Sequence, residues 1–448
     1  MSGAFMFAVI ILSVVAMVLA ISKWNQHPFL VLTIIAVVVG LLCGMDTETV
    51  ITTVKNGFGN ILASIGIVIL CGTIIGTVLE KTGAALTMAN SILKVVGKKN
   101  SVLTMGLTGY VTGIPVFCDS GFVILSPISR ALASQSNISL AVMATALSGG
   151  LYATHCLVPP TPGPIAMAGT LEADLGLTIL IGLIISIPAT AVAILYAKKV
   201  SATVQIDANP EYTVEELQAK YGKLPGVLHS FSPILLPIIL IAFKSVGDFP
   251  SNPLGTGMLK TVVSFIGNPV IALLIGVYLS FTLIPKEEKK NTLKWVGEGV
   301  TNSAGILAIT GAGGSFGAIL QALPIADQLT GMLGNVGPVA GILVAFAIAS
   351  CLKLAMGAST VAMITTSAMV APMMAGLGLT SDIAKVLMIM AIGAGSMTAS
   401  HANDSYFWVV SQFSDMNTSQ AYKCQTGMTA VMGITTIIVV TALAFFFA

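Results

Sequence analysis

Charge is what this chain has least of. Asp, Glu, Lys and Arg make up 8% of its 448 residues, where a soluble domain carries roughly 25%. There is one arginine, Arg130, and no basic cluster long enough for nucleic acid; the net charge of +2 adds nothing. Six cysteines, at 43, 71, 118, 156, 351 and 424, are scattered through apolar runs without a CxxC or other metal spacing. That pattern excludes a disulfide framework and leaves packing as their expected role. There is no HExxH or comparable ligand pair on one helix face, so neither a metal nor a cofactor is expected. What is present is apolar: 55% of the residues are hydrophobic, which places the chain in a bilayer. Residues 4–21 lack the charged n-region and small-residue cleavage site of a signal peptide and are expected to be a first membrane helix.

A spanning helix needs ~20 apolar residues. The candidate segments are 4–22, 28–45, 60–80, 100–130, 138–172, 176–197, 227–244, 262–284, 300–322, 337–375, 383–413 and 425–446. Two of these, 100–130 and 337–375, are too long for one pass and have polar centres, which predicts re-entrant hairpins. Two others, 138–172 and 383–413, are broken by polar or Pro-rich stretches. The largest hydrophilic stretch, 198–226, holds eight charges and predicts a surface helix opened by a capping box at Thr213 and Glu216. With Lys198, Lys199 and the run Lys286–Lys290 in the cytoplasm, fifteen of the twenty basic residues fall inside, four fall outside, and Lys353 lies in the membrane.

The chain also repeats itself. Gly72-Thr-Ile-Ile-Gly76-Thr-Val-Leu79 resembles Gly313-Gly-Ser-Phe-Gly317-Ala-Ile-Leu320, and each is followed by a short helix (82–97; 325–334), a hairpin, a broken helix and an unbroken one. The basic residues place the two starts on opposite sides, so the halves are expected to be inverted, as in many secondary transporters. The expected fold is an all-α membrane protein of two inverted repeats. Its divisions are N-terminal helices (1–54), a first repeat (55–197), a cytoplasmic loop (198–226), linking helices (227–285) and a second repeat (286–448).

Irregular backbone survives in hydrocarbon only where it lines a cavity buried in protein. Two breaks in matching places, around Ala153–Pro164 and Ala399–Ser405, therefore point to a binding site. Ionisable groups at that depth are usually functional; here they are Asp119, His155, Lys353, His401 and Asp404. Asp119, at the first hairpin tip, is a candidate proton carrier or coupling-ion ligand, or a cap of the returning half-helix. Asp404 is the second candidate proton carrier. Lys353 needs a partner: Asp119, Asp404 or a bound carboxylate. Ser120, Thr154, Thr161, Ser359, Thr360 and Ser400 stand at tips and breaks, where half-helix amides and hydroxyls make a carboxylate cradle or cap their own helices. His155 and His401 are candidates to bind substrate hydroxyls, relay protons or satisfy broken-helix carbonyls, and Asn403, Asp404 and Ser405 form a cluster suited to polyol hydroxyls. Arg130 is expected to anchor the first hairpin. Trp24, Trp295 and Trp408 fit interfacial or packing positions.

Three stretches, Gly113-Ile-Pro-Val-Phe-Cys-Asp-Ser-Gly-Phe122, Tyr152-Ala-Thr-His-Cys-Leu-Val-Pro-Pro-Thr-Pro-Gly-Pro164 and Ser400-His-Ala-Asn-Asp-Ser-Tyr-Phe-Trp-Val409, resemble the GntP family of gluconate permeases. The resemblance covers essentially the whole chain. It implies a gluconate–proton symporter or a relative that carries another sugar acid or D-serine, within the ion transporter superfamily. It also implies a homodimer with a scaffold domain and a moving transport domain. Sodium-coupled relatives carry Ser-Asn-Thr at the hairpin tips; Cys118-Asp119-Ser120 and Ala358-Ser359-Thr360 lack the Asn, which favours protons. The expectation is an inner-membrane symporter for a sugar acid. D-serine transport, a membrane-embedded enzyme and a passive channel are the alternatives.

Overall fold

The computed structural model describes residues 3–22, 24, 26–97, 100–208, 224–247, 255, 257–323, 337–401 and 404–447. Every regular element among them is helical. The N-terminal pair is α1 (Gly3–Ser22) and α2 (Pro28–Leu42). Next come the long α3 (Thr47–Lys81) and the short α4 (Ala84–Val96). Two helices, α5 (Ser101–Thr112) and α6 (Cys118–Ser136), form a hairpin around residues 113–117. The first broken helix is α7 (Leu140–Leu157) and α8 (Pro162–Thr170), followed by the unbroken α9 (Leu175–Lys199). The middle of the chain supplies α10 (Val227–Gly247), α11 (Met258–Ile266) and α12 (Pro269–Thr282). The second half repeats the order: long α13 (Thr292–Ala322), hairpin α14 (Pro338–Met356) and α15 (Ser359–Val370), broken α16 (Asp382–Met397) and α17 (Ser405–Phe413). The chain ends with α18 (Thr418–Ala421), a π-helical turn at Tyr422–Thr426 and α19 (Gly427–Phe447).

Local chemistry explains the boundaries. Asp46, Asp174 and Ser381 each cap the helix they precede, accepting from Thr49 N (2.9 Å), Leu177 N (2.7 Å) and Ala384 N (3.1 Å). The span expected at 262–284 is instead two helices bent by 62°. Gly267 ends α11, and Asn268 with Pro269 starts a new helix, the Asn268 side chain accepting from Val270 N at 3.0 Å. The spans expected at 60–80 and 300–322 are the C-terminal parts of longer helices that begin at Thr47 and Thr292. The predicted helix over 325–334 and the capping box at Thr213 lie outside the described residues.

Burial is opposite to what a bundle of equivalent spans would give. All eighteen residues of α7 are buried, as are seven of the nine residues of α8, Pro162–Ala168. In α16, the stretch Val386–Met397 is buried without a gap. Helix α7 and the buried stretch of α16 therefore form the centre, and other protein surrounds them. Helices α3 and α13 pack along one another. Their repeated glycines face the first break and the second hairpin: a Cβ on Gly72 would lie 2.9 Å from Pro160 O, and one on Gly313 3.1 Å from an Ile364 methyl. Among the described residues, five helices are long and apolar enough to cross a membrane, or up to seven if each bent pair counts as one.

Candidate functional site

The second hairpin and the second break meet end to end. Helix α14 stops because Gly357 adopts a left-handed conformation (φ 76°), which glycine takes without strain. One turn earlier, the Lys353 Nζ donates to Gly357 O at 2.7 Å and to Asp404 Oδ2 at 2.6 Å. Asp404 in turn caps α17, its Oδ1 accepting from Tyr406 N at 3.1 Å. A cation thus closes a helix C-terminus and an anion opens a helix N-terminus, each favoured by the local dipole. The two side chains are 1% and 5% exposed, so this is a fully desolvated ion pair. The Ser400 hydroxyl donates to the same Asp404 oxygen.

Aromatic groups wall the pair. The Lys353 ammonium stands 5.6 Å from the centre of the Tyr152 ring. Tyr152 packs 5.2 Å from Tyr406 and is stacked on His155 at 6.3 Å. Phe117, from the first hairpin tip, lies 6.3 Å from His155, and Phe122 meets Tyr406 edge-on. The His155 Nδ1 is buried without a hydrogen-bond partner. Ser359, at the second hairpin tip, is buried. The second hairpin and both breaks therefore bring polar groups to one cluster, and the first hairpin walls it with Phe117 and Phe122.

The other predicted residues sit as follows. Asp119 accepts from Cys118 Sγ at 3.6 Å, and Ser120 lines a cavity together with Glu80 of α3. Thr154 spends its hydroxyl on Gly150 O and Leu151 O, both at 3.3 Å, and Thr161 on Val158 O at 2.5 Å; both bond their own turns. The His401 Nε2 donates to Leu354 O at 3.0 Å, tying the break to the hairpin. Thr360 is half-buried beside Ser359, and Ser405 opens α17. Asn403 lies outside the described residues. Arg130 bonds Asp415 Oδ2 at 2.7 Å and Phe413 O at 2.9 Å, fastening the first hairpin to the end of the second broken helix. Five of the six free cysteines are buried and Cys351 is exposed, so packing does not explain that one. Trp295 is buried, whereas Trp24 and Trp408 are exposed.

Sequence reasoning missed the support beneath Ser400. Its N–H donates to Thr429 Oγ1 at 2.9 Å, and Thr426 Oγ1 donates to its carbonyl at 2.5 Å. Thr426 is the last residue of the π-helical turn and Thr429 lies in the first turn of α19. Gln425 within that turn accepts from the Ser148 hydroxyl at 2.7 Å, and Tyr406 OH donates to Ser148 O at 3.2 Å. The signal available in sequence was weak: polar residues in the first turns of a final apolar helix.

A family model for GntP family permeases matches residues 5–446. The chain belongs to the GntP permease family. An uncharacterized permease of Haemophilus influenzae is 37% identical over 423 residues, covering 91% of this chain and 86% of the relative. A gluconate permease of Pseudomonas aeruginosa is 31% identical, covering 95% of this chain and 94% of its own length. A D-serine transporter of Escherichia coli is 32% identical, covering 97% of each. Among solved structures, the YdaH transporter of Alcanivorax borkumensis has the same fold, with a TM-score of 0.67 over 94% of this chain and 99% of that one, at 14% identity. This GntP permease is thus a multi-pass membrane transporter of a small molecule and not an enzyme.

Proposed function

We propose that this permease is a proton-coupled symporter for gluconate or a related sugar acid in the inner membrane. The buried Lys353–Asp404 pair carries the proposal. An incoming carboxylate competes with Asp404 for the Lys353 ammonium. An unpaired carboxylate cannot stay charged in a desolvated site, so displaced Asp404 takes up a proton. One monocarboxylate then brings one proton, and the site keeps its net charge. Ser400, Ser359 and the unpartnered His155 Nδ1 are groups that can meet substrate hydroxyls. Lys353, Asp404, Ser400, Tyr152 and His155 are all at most 4% exposed, so loading requires the tips to part. Asp119 is the second proton carrier in this scheme. We further propose that 55–197 and 286–448 act as inverted halves in a homodimer, the hairpins and breaks moving against α3 and α13.

Uptake of gluconate into proteoliposomes under an imposed pH gradient tests the scheme. Wild-type protein should accumulate gluconate when the outside is acidic, and Asp404→Asn should not. Accumulation by Asp404→Asn at the wild-type rate would end the exchange mechanism. The likeness to a D-serine transporter supports a second reading: an amino-acid substrate would offer its own ammonium to Asp404. Competition of gluconate, idonate, fructuronate, glycerate and D-serine in the same assay separates the two.

A further inference from the structure

A cavity lies apart from the exchange at Lys353 and Asp404. A polar chamber of about 540 Å³ lies between the C-terminal end of α3 and the N-terminal part of α13. Thr77, Glu80 and Lys81 line it from α3, and Glu298, Thr301 and Asn302 from α13. A water molecule occupies roughly 30 Å³ in the liquid, so the chamber is wide enough to be hydrated. Lys81 and Glu298 close one wall as a half-exposed ion pair at 3.1 Å.

The remaining wall is the first hairpin. Ser120 lines the chamber together with Glu80. It sits in the first turn of α6 next to Asp119, whose carboxylate accepts from the buried Cys118 thiol. Phe117 and Phe122, either side of this turn, face His155 and Tyr406 in the central cluster. The turn therefore stands between the chamber and the buried ion pair, with Asp119 next to Ser120 in the chain and Glu80 beside it in the chamber lining.

We propose that Glu80 is the carboxylate through which the co-transported proton passes between the chamber and the hairpin tip. In the release direction, protonated Asp119 gives its proton to the Ser120 oxygen while the Ser120 hydroxyl proton passes to the Glu80 carboxylate. One O–H bond breaks and one forms at each transfer, and the negative charge moves from Glu80 to Asp119. Glu80 then loses the proton to the chamber. The charged groups facing Glu80 are Lys81 on its own helix and Glu298 on α13, with Asp119 beyond Ser120. This inference rests on the proton symport proposed above.

The test compares wild-type, Glu80→Gln and Glu80→Asp permease in proteoliposomes by two assays. One is accumulation of labelled gluconate under a pH gradient. The other is counterflow at equal pH, which needs no net proton movement. For Glu80→Gln, accumulation should fall ~100-fold, the low end of what a positioned proton carrier supplies, while counterflow is retained. Glu80→Asp should restore part of the accumulation. Wild-type accumulation in Glu80→Gln would overturn the Glu80 route alone. Loss of counterflow as well in Glu80→Gln would assign the residue a structural role and overturn the route. A wild-type protein that shows counterflow but no response to the pH gradient would overturn the symport, and this route with it.

Discussion

Gly76 of α3 touches the tip of the first hairpin so closely that a Cβ on it would lie 2.7 Å from Pro115 O. Four residues earlier, Gly72 meets Pro160 O of the first break in the same way, at 2.9 Å. The glycine pair that marks the internal repeat is therefore the surface on which the hairpin tip and the break rest. Both obstacles are backbone atoms, which cannot swing aside as a side chain would. Gly72→Ala and Gly76→Ala should each slow gluconate uptake at least ~10-fold, since a ~1 Å misplacement far from a site can cost 100-fold. Gly59→Ala is the control: on the same helix, nothing lies within 4 Å of its Cβ. That variant should transport normally and gain up to about 1 kcal/mol of helix stability. Equal uptake by all three would refute the contact argument.

The ion pair between Lys353 and Asp404 predicts a non-additive mutant cycle. Removing one partner strands a buried charge, at a cost of about 3–5 kcal/mol. Removing both strands none. Lys353→Met and Asp404→Leu should each lower the thermal unfolding temperature, and the double variant should recover part of that loss. Uptake should be absent in all three, because the double variant has lost the group that receives the carboxylate. A double variant as unstable as the two singles summed would mean that the charges are not coupled.

Most of this arrangement was legible in the sequence because hydrocarbon punishes irregular backbone. Prolines at 159, 160, 162 and 164 and the polar run from Ser400 to Ser405 had no place on a lipid-facing helix, so the breaks showed plainly. The hairpins followed from length, and Lys353 and Asp404 from their rarity at membrane depth. What the sequence left open is what depends on direction. Lys353 had three candidate partners, and only the turn at Gly357 aims it at Asp404 rather than Asp119. Thr154 and Thr161 have the same side chain as Thr426 and Thr429, yet the first two bond their own turns and the others hold Ser400. Glu80 lay at the edge of an apolar run beside Lys81, where a carboxylate passes for an interfacial residue. The middle span of 262–284 hid its break because Gly267, Asn268 and Pro269 interrupt hydropathy too briefly.

Arg130 and Asp415 give a prediction in pH. The Arg130 guanidinium hydrogen-bonds the Asp415 carboxylate and holds its pKa below the ordinary value. A carboxyl whose folded pKa is depressed stabilises the fold above its unfolded pKa of about 4 and loses that contribution as pH falls through the folded value. Asp415→Asn should therefore unfold at a lower temperature than wild type at pH 7, and the gap should close below about pH 4. The gap at pH 7 should be small and shrink with added salt, because the Asp415 side chain is 57% exposed. A gap that persists unchanged at low pH would assign the effect to packing instead.

The π-helical turn predicts which hydroxyls of the last helix matter. Thr429 Oγ1 accepts from the buried Ser400 N–H, so Thr429→Val leaves that amide unpaired at a cost of about 1–3 kcal/mol. Thr436 lies two turns further along, equally buried, but its hydroxyl only donates to Met432 O of its own helix at 2.8 Å. Thr436→Val removes a donor without stranding one and keeps the shape, so it should be nearly neutral. The two variants share one substitution and one environment, and differ only in whether Ser400 depends on the hydroxyl. Because Ser400 in turn donates to Asp404, Thr429→Val should also raise the gluconate concentration needed for half-maximal uptake, which Thr436→Val should leave unchanged. Equal shifts in both variants would show that the helix, rather than the link through Ser400, governs the site.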